Sequence, residues 1–139
     1  MNNNHVYDIL VVGGGPGGYT AALYAARAGL DTVVLEKLSA GGQMALTEQI
    51  DNYPGFEDGI DGFSLAEKMQ KQAERFGVRS EYAEVLRMDL TAVPKLLETS
   101  EGIFRGKTVV LATGADPRTL GVAPSSRSLR RTICPRRAS

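Results

Sequence analysis

The chain has 139 residues, which is enough for one domain with a hydrophobic core and too short for two domains of ordinary size. Hydrophobic residues make up 42% and charged residues 23%, as in globular proteins, and no apolar run approaches the ~20 residues that span a bilayer. The N-terminal stretch MNNNHVYD lacks the basic segment and apolar core of a secretion signal, so a cytoplasmic location without a membrane partner is expected.

Residues 6–36 predict a strand, a glycine-rich turn, a helix and a second strand. The continuous apolar run at 9–12 is typical of a parallel strand that is buried on both faces. Gly13, Gly15 and Gly18 then form a G-x-G-x-x-G motif. The first glycine permits a tight turn, the second lets a pyrophosphate approach the backbone, and the third lets the helix lie close to the strand. Pro16 suits the first helical turn, whose free N–H groups and positive dipole end favour a diphosphate.

An acid at the end of the second strand completes this motif. Residues 32–35 form the strand and Glu36 follows, 18 residues after Gly18. Such folds place a carboxylate that accepts from ribose hydroxyls near this position. The motif alone is weak, but here the strand, the helix and the acid all fall where it requires them. The sequence therefore predicts a dinucleotide site, and the alternative is a glycine-rich turn without a ligand.

The next segment predicts a long loop and an amphipathic helix. Residues 37–62 show little periodicity and much Gly, Asn, Asp and Pro, and loops of this length are usually functional or disordered. Ser64 and Glu67 fit a capping box, so a helix is predicted to begin at Ser64 and to end at Gly77. Its predicted buried face consists of Leu65, Met69, Ala73 and Phe76.

Residues 78–113 predict strands only. A short strand at 78–82 precedes three extended pieces, at 84–90, 95–99 and 103–105, whose short polar connections indicate an antiparallel meander. A further buried strand follows at 107–113. The predicted fold class is α/β, a Rossmann-like parallel sheet with a small antiparallel β-meander insertion. One domain is predicted over residues 1–122.

Three pieces of this sequence together resemble one enzyme family. They are VVGGGPGGYTAALYAARAG, GGQMALTEQIDNYPGF and GKTVVLATGADPRTLGV, and they resemble the N-terminal FAD-binding part of bacterial thioredoxin reductases over roughly residues 6–122. The first and third pieces are shared by many FAD-binding proteins, whereas the middle piece is more specific. Related ferredoxin reductases and peroxiredoxin reductases share much of this pattern. The resemblance implies an incomplete FAD-binding domain.

The resemblance implies contacts to the adenosine and pyrophosphate half of FAD. The pyrophosphate would be lined by four positions of the glycine-rich turn: Gly13, Gly15, Pro16 and Gly17. Glu36 would hold the adenosine ribose, and Lys37 would border the adenosine. The backbone of Val85 would meet the adenine.

The resemblance also implies contacts near the flavin half. The ribityl and flavin end would be met by Gly41, Gly42 and Gln43, and Asn52 would lie near the isoalloxazine. The turn formed by Ala112, Thr113 and Gly114 would pass beside the FAD. Gln43 and Asn52 each carry a neutral amide that can donate and accept hydrogen bonds at the flavin rim. The alternative for these two residues is an ordinary turn. No catalytic residue and no metal-ligand cluster is predicted.

The last 17 residues depart from the family pattern. Residues 1–122 hold all 16 acids and 11 of the 16 Lys and Arg, whereas residues 123–139 hold five Arg and no acid. The single cysteine, Cys134, has no partner for the Cys-x-x-Cys of thioredoxin reductases. We expect residues 123–139 to be a disordered basic tail outside the domain, from a shifted reading frame or a misassembled gene. A nucleic-acid-binding arm is disfavoured, because aromatic residues do not interleave the arginines.

The predicted function is that of the FAD-binding portion of a thioredoxin-reductase-like flavoprotein. In the complete enzyme, the resemblance implies transfer from NADPH to FAD, to a dithiol and on to a thioredoxin-like protein, within a homodimer. We expect this chain alone to lack disulfide reductase activity. Two alternatives stay open. One is a fragment of a ferredoxin–NADP reductase of the thioredoxin reductase type, and the other is a non-catalytic dinucleotide-binding module.

Overall fold

The computed structural model describes residues 5–38 and 40–115, and within them the chain forms six strands, two α-helices and one 3-10 helix. The predicted tail at 123–139 and the domain boundary at 122 lie outside the described residues. The elements follow in chain order as β1 (Val6–Val12), α1 (Pro16–Arg27), β2 (Thr32–Glu36), the 3-10 helix (Gly42–Leu46), α2 (Gly62–Arg75), β3 (Arg79–Tyr82), β4 (Val85–Asp89), β5 (Lys95–Thr99) and β6 (Gly102–Leu111). No helix among the described residues combines the length and apolar character needed to cross a bilayer.

All six strands belong to one sheet, in the order β3-β2-β1-β6-β5-β4. The pairs β1–β2, β1–β6 and β2–β3 are parallel, whereas β4–β5 and β5–β6 are antiparallel. The four parallel strands have the order of one half of a Rossmann fold, in which the first strand lies at the centre. The predicted fold class, a parallel sheet with an antiparallel meander, is confirmed.

The boundary between meander and parallel sheet was predicted wrongly. The pieces at 103–105 and 107–113 form one continuous strand, β6, which pairs with β5 near its start and with β1 from Arg105 onward. Gly106 lies at this change of partner. A Cβ on Gly106 would lie 2.5 Å from Leu10 Cγ, so only a glycine fits against the central strand here. Because Gly106 has no side chain, β6 can pair with β1 at the point where it also pairs with β5.

Two apolar clusters stabilise the two faces of the sheet. The cluster on one face includes Leu10, Val33 and Leu97. Leu97 belongs to β5, so this cluster joins β5 to the central strands. The other includes Val11, Val34, Ala22 of α1 and Ala73 of α2, so both helices cover that face. Burial of these side chains provides the main favourable contribution to folding.

The second helix differs from its prediction at its start, whereas at its end Gly77, with a φ of 95°, follows the C-cap Phe76 and stops the helix as predicted. It begins at Gly62, and its N-cap is Asp61, whose carboxylate accepts a hydrogen bond from Ser64 N (2.8 Å), so the predicted capping box is wrong. Of the predicted buried face, Leu65 and Ala73 are buried and Met69 is partly buried. Phe76 is 41% exposed, because the helix ends at Arg75 and the ring lies beyond the packed face.

The predicted loop at 37–62 contains local structure. A short 3-10 helix spans Gly42–Leu46, and Ile50 pairs with Ile60 in an antiparallel bridge. Gly62 N donates to Thr47 O (2.9 Å), which holds the start of α2 against the end of the 3-10 helix. These bonds close the segment on itself, and the bond from Gly41 N to Gly14 O (2.7 Å) joins it to the turn after β1, at the carboxyl edge of the parallel strands.

Candidate functional site

The glycine-rich turn lies at the carboxyl edge of the parallel strands, between the ends of β2 and β6. Gly13 N donates to Leu35 O (2.9 Å), and Ala112 N donates to Val12 O (2.8 Å). Gly13 has a φ of 105°, and a Cβ on it would overlap the carbonyl oxygen of Ala112. The turn is therefore enclosed by its neighbours at the edge where α/β sheets bind their ligands.

The N-terminus of α1 opens directly from this turn. Its N-cap is Gly15, and Pro16 occupies the first helical position. Within the described chain no side chain caps this helix, and its first turn contains no acid. The first backbone N–H groups of a helix have no intrahelical partner and carry the positive end of its dipole. This end of α1 therefore suits a diphosphate.

The glycines at the start of α1 divide into two groups. A Cβ on Gly18 would overlap the carbonyl oxygen of Gly13, so this glycine allows the helix to pack against the turn, as predicted. A Cβ on Gly17 would have no neighbour within 4 Å, and one on Gly15 would meet only Gly41 O at 4.0 Å. Gly15 and Gly17 thus line open space at the helix start.

Glu36 is fixed by backbone donors. Gly14 N donates to one carboxylate oxygen (2.6 Å), while Lys37 N donates to the other (2.7 Å). Each carboxylate oxygen can accept more than one hydrogen bond. Glu36 is thus held at the end of β2 beside the glycine turn, with acceptor capacity for a hydroxyl group.

The meander reaches the same edge through the turn between β3 and β4. Ala83 N donates to Glu36 O (2.8 Å), and Lys37 Nζ forms an ion pair with Glu84 (2.7 Å). The hydrogen bond with Glu84 raises the pKa of Lys37. Ser100 holds Glu84 from the other side, through its hydroxyl and its backbone N–H. These contacts place Lys37 beside the residue that precedes Val85.

The Gly-Gly-Gln turn is bonded to the glycine-rich turn. Gly41 N donates to Gly14 O (2.7 Å), and its φ is 103°. A Cβ on Gly41 would overlap that of Ala66, so a glycine is required for α2 to pack here. Gly42 and Gln43 follow in the 3-10 helix and are exposed.

The remaining predicted positions are less closely joined to the glycine-rich turn. Ala112 contacts it directly, but Thr113 and Gly114 are exposed beyond the end of β6. Asn52 is exposed in a hollow of about 500 Å³ that is lined by residues 51–57. The hollow is formed by that loop alone and does not itself join Asn52 to the glycine-rich turn. Among the described residues, no group of three or more His, Cys, Asp or Glu side chains could hold a metal ion.

Comparison with known proteins identifies the family. The profile of the pyridine nucleotide-disulphide oxidoreductases matches residues 7–134. The chain belongs to this family. It is 43% identical over 114 residues to thioredoxin reductase of Aquifex aeolicus, a match that covers 81% of this chain and 35% of that protein. It is also 43% identical over 119 residues to NADPH-dependent thioredoxin reductase 3 of Arabidopsis thaliana, with coverage of 83% and 22%.

Solved structures agree with this assignment. The thioredoxin reductase of Gloeobacter violaceus has a TM-score of 0.77 and 46% identity, and 84% of this chain matches 37% of that one. The enzyme of Streptococcus pyogenes has a TM-score of 0.79 and 44% identity, with coverage of 86% and 39%. This pyridine nucleotide-disulphide oxidoreductase chain therefore spans little more than a third of these structures. The resemblance predicted from the sequence is confirmed.

Two residues of this family member were missed in the sequence. Gly14 donates to Glu36 and accepts from Gly41, so it joins three segments of the site. Glu84 joins Lys37 to the turn before β4. The run of three glycines at 13–15 could have indicated that Gly14 also has a structural role in the turn. No local pattern marks Glu84, because its partner lies in a segment distant along the chain.

Proposed function

We propose that this chain is the FAD-binding portion of a thioredoxin-reductase-like flavoprotein. The complete protein is proposed to reduce a thioredoxin-like partner with NADPH, as a cytoplasmic homodimer. The similarity to thioredoxin reductases supports the class of enzyme, and the geometry of the carboxyl edge supports the dinucleotide. The 139 residues contain one cysteine and therefore no redox-active pair, so this chain is proposed to supply cofactor binding without disulfide turnover.

The observation that carries the proposal is the surroundings of Gly15. Its φ of −78° and ψ of −176° are ordinary for any residue, and a Cβ there would meet only Gly41 O, at 4.0 Å. Gly13 and Gly18 are required by the packing of the chain itself, whereas Gly15 is not. A pyrophosphate lying against the backbone would account for the absence of a side chain.

The other residues of the edge fit the adenosine half of FAD. The N–H groups at the start of α1 would hold the pyrophosphate, and Glu36 would accept from the ribose hydroxyls. The backbone at Val85 would lie beside the adenine, fixed by the Lys37–Glu84 contact. When bound, FAD would supply hydride and electron transfer, chemistry that belongs to the cofactor. The chain's own task is to bind and orient the dinucleotide.

The decisive test replaces Gly15 by valine and titrates FAD by flavin fluorescence. We expect at least about a 100-fold loss of FAD affinity, because the side chain would occupy the pyrophosphate position. The folded state should be unaffected, since the space beside Gly15 is open. Ala28→Val, at the exposed C-terminal end of the same helix, is the matched control and should bind FAD normally. Unchanged FAD affinity in Gly15→Val would overturn the assignment. Tighter binding of NAD than of FAD would favour a different dinucleotide.

A further inference from the structure

The C-terminal ends of the two helices carry a cluster of two arginines and two aromatic rings. We call this cluster, which consists of Tyr24, Arg27, Arg75 and Phe76, the arginine–aromatic patch. The Arg27 guanidinium carbon lies 5.5 Å from the centroid of the Tyr24 ring and 5.9 Å from that of Phe76. The Arg75 carbon lies 5.2 Å from the Phe76 centroid. One ring therefore contacts a guanidinium group from each helix.

Both arginines lack an anionic partner in the described chain. Neither Arg27 nor Arg75 is part of the ion pairs formed within residues 5–38 and 40–115. The dipoles of α1 and α2 favour cations at these helix ends, but a helix dipole does not occupy the N–H groups of a guanidinium. A guanidinium that stacks on a ring keeps its N–H edge free for a bidentate bond to a carboxylate.

The aromatic members of the patch are also accessible. Tyr24 is 62% exposed and Phe76 is 41% exposed. Arginine and large aromatic residues are enriched where proteins contact one another, and they supply much of the binding energy there. Residues 1–122 as a whole carry 16 acids and 11 Lys and Arg, whereas the four residues of the arginine–aromatic patch carry two positive charges and no acid.

From these observations we infer that the arginine–aromatic patch binds an acidic protein segment that carries two carboxylates. Both guanidinium carbons lie within 5.9 Å of the centroid of the Phe76 ring, so two neighbouring carboxylates of one segment can contact both arginines. The stacked rings restrict the arginine side chains, which lowers the entropy lost on binding. The patch lies at the opposite end of α1 from Gly15, so it is distinct from the proposed cofactor site.

The test uses the full chain and a capped hexaglutamate peptide, with binding followed by NMR of the arginine side chains. We expect saturable binding that shifts the Nε signals of Arg27 and Arg75, and that weakens when salt is raised from about 0.05 M to about 0.5 M. Capped hexaglutamine should not bind. The double variant Arg27→Gln/Arg75→Gln should bind about tenfold more weakly while its FAD affinity stays unchanged.

Lys68→Gln/Arg87→Gln is the matched control, because it removes the same charge from exposed positions outside the patch that belong to none of the ion pairs of the described chain. Equal weakening in the two double variants would overturn the inference, since it would show a response to net charge alone. Binding of inorganic phosphate as tight as that of hexaglutamate would overturn it as well, because the patch would then be a general anion site. Circular dichroism spectra that match the unmodified chain establish that both double variants fold. If the arginine pair unfolds, Phe76→Leu provides the same test, since it removes the shared ring and should weaken peptide binding.

Discussion

The backbone N–H of Gly14 donates to a carboxylate oxygen of Glu36 across 2.6 Å, and this bond joins the turn after β1 to the end of β2. The carbonyl oxygen of Gly14 accepts from Gly41 N at 2.7 Å, so the same residue also holds the Gly-Gly-Gln turn. An acid that is suited to ribose thus has a second task, which is to fix the shape of the glycine-rich turn before any ligand arrives.

Glu36→Ala tests this second task. We expect the free energy of unfolding to fall by about 1–2 kcal/mol, because the backbone N–H of Gly14 loses a charged acceptor in a partly buried place. Denaturant unfolding measures this loss, and flavin fluorescence should show a weaker FAD affinity. Glu36→Gln keeps an oxygen that can accept from Gly14 N but turns an NH2 group towards Lys37 N, so its loss of stability should be intermediate between those of the unmodified chain and Glu36→Ala. Equal stability of the alanine and glutamine variants would show that the bond does not organise the turn.

Gly17→Ala and Gly18→Ala are expected to have opposite effects. The space beside Gly17 is open, so an alanine there should raise the free energy of unfolding by about 0.4–1 kcal/mol through the unfolded state. A Cβ on Gly18 would overlap the carbonyl oxygen of Gly13, and overpacking of this kind costs about 1–3 kcal/mol. Thermal unfolding of the two variants gives the comparison. Similar shifts of the same sign would contradict the packing of α1 described above.

The β1–α1–β2 unit could be predicted because its signals are local and agree with one another. The apolar run, the glycine spacing and the terminal acid each lie within one element or at its end. Gly106 shows the opposite case, because a glycine among polar residues predicts a break. Here it permits close contact with Leu10, which no local pattern reveals.

Long-range contacts explain what was missed in the site. Gly14 and Glu36 are 22 residues apart, and Lys37 and Glu84 lie in the segments that follow β2 and β3. Their pairing depends on the order of strands in the sheet, so the sequence reveals the residue types but not the bonds. Phe76 was predicted to be buried from its spacing along α2, but the helix ends before it. The arginines that contact its ring come from both helices.

The N-cap of α2 provides a test in which the capping box and the observed structure differ. Asp61→Ala should lower the unfolding temperature, because the Ser64 N–H loses its acceptor. Ser64→Ala keeps the backbone donor and removes only the hydroxyl, so its loss should be the smaller of the two. Asp61→Asn should keep most of the stability, because asparagine is also a good N-cap. If Ser64→Ala lowered the unfolding temperature more than Asp61→Ala, the predicted N-cap at Ser64 would be favoured over Asp61.

The same cap predicts a dependence on acid. The hydrogen bond from Ser64 N lowers the pKa of Asp61 below its ordinary value of 3.8. A carboxyl group with a lowered pKa stabilises the fold above its unfolded pKa and loses this contribution as the pH falls through its folded pKa. Asp61→Asn should therefore lose less stability than the unmodified chain on acidification, measured as unfolding temperature against pH. If the unfolding temperatures of the two proteins fell equally as the pH was lowered, this role of Asp61 would be contradicted.

Tyr19 predicts a loss of stability at alkaline pH. Burial raises the pKa of its hydroxyl from 10.0 to about 12, and the hydroxyl donates to Ser80 Oγ at 3.3 Å. Because the folded state keeps the proton more tightly than the unfolded state, the contribution of this group is complete below pH 10.0 and falls as the pH rises towards 12. Tyr19→Phe has no such group, so its stability should fall less over this range, measured by urea unfolding at stepped pH. Tyr24→Phe, which changes an exposed ring on the same helix, should keep the alkaline loss of the unmodified chain. If Tyr19 ionised together with the exposed tyrosines in a spectrophotometric titration, the burial of its side chain beside β3 would not control its pKa.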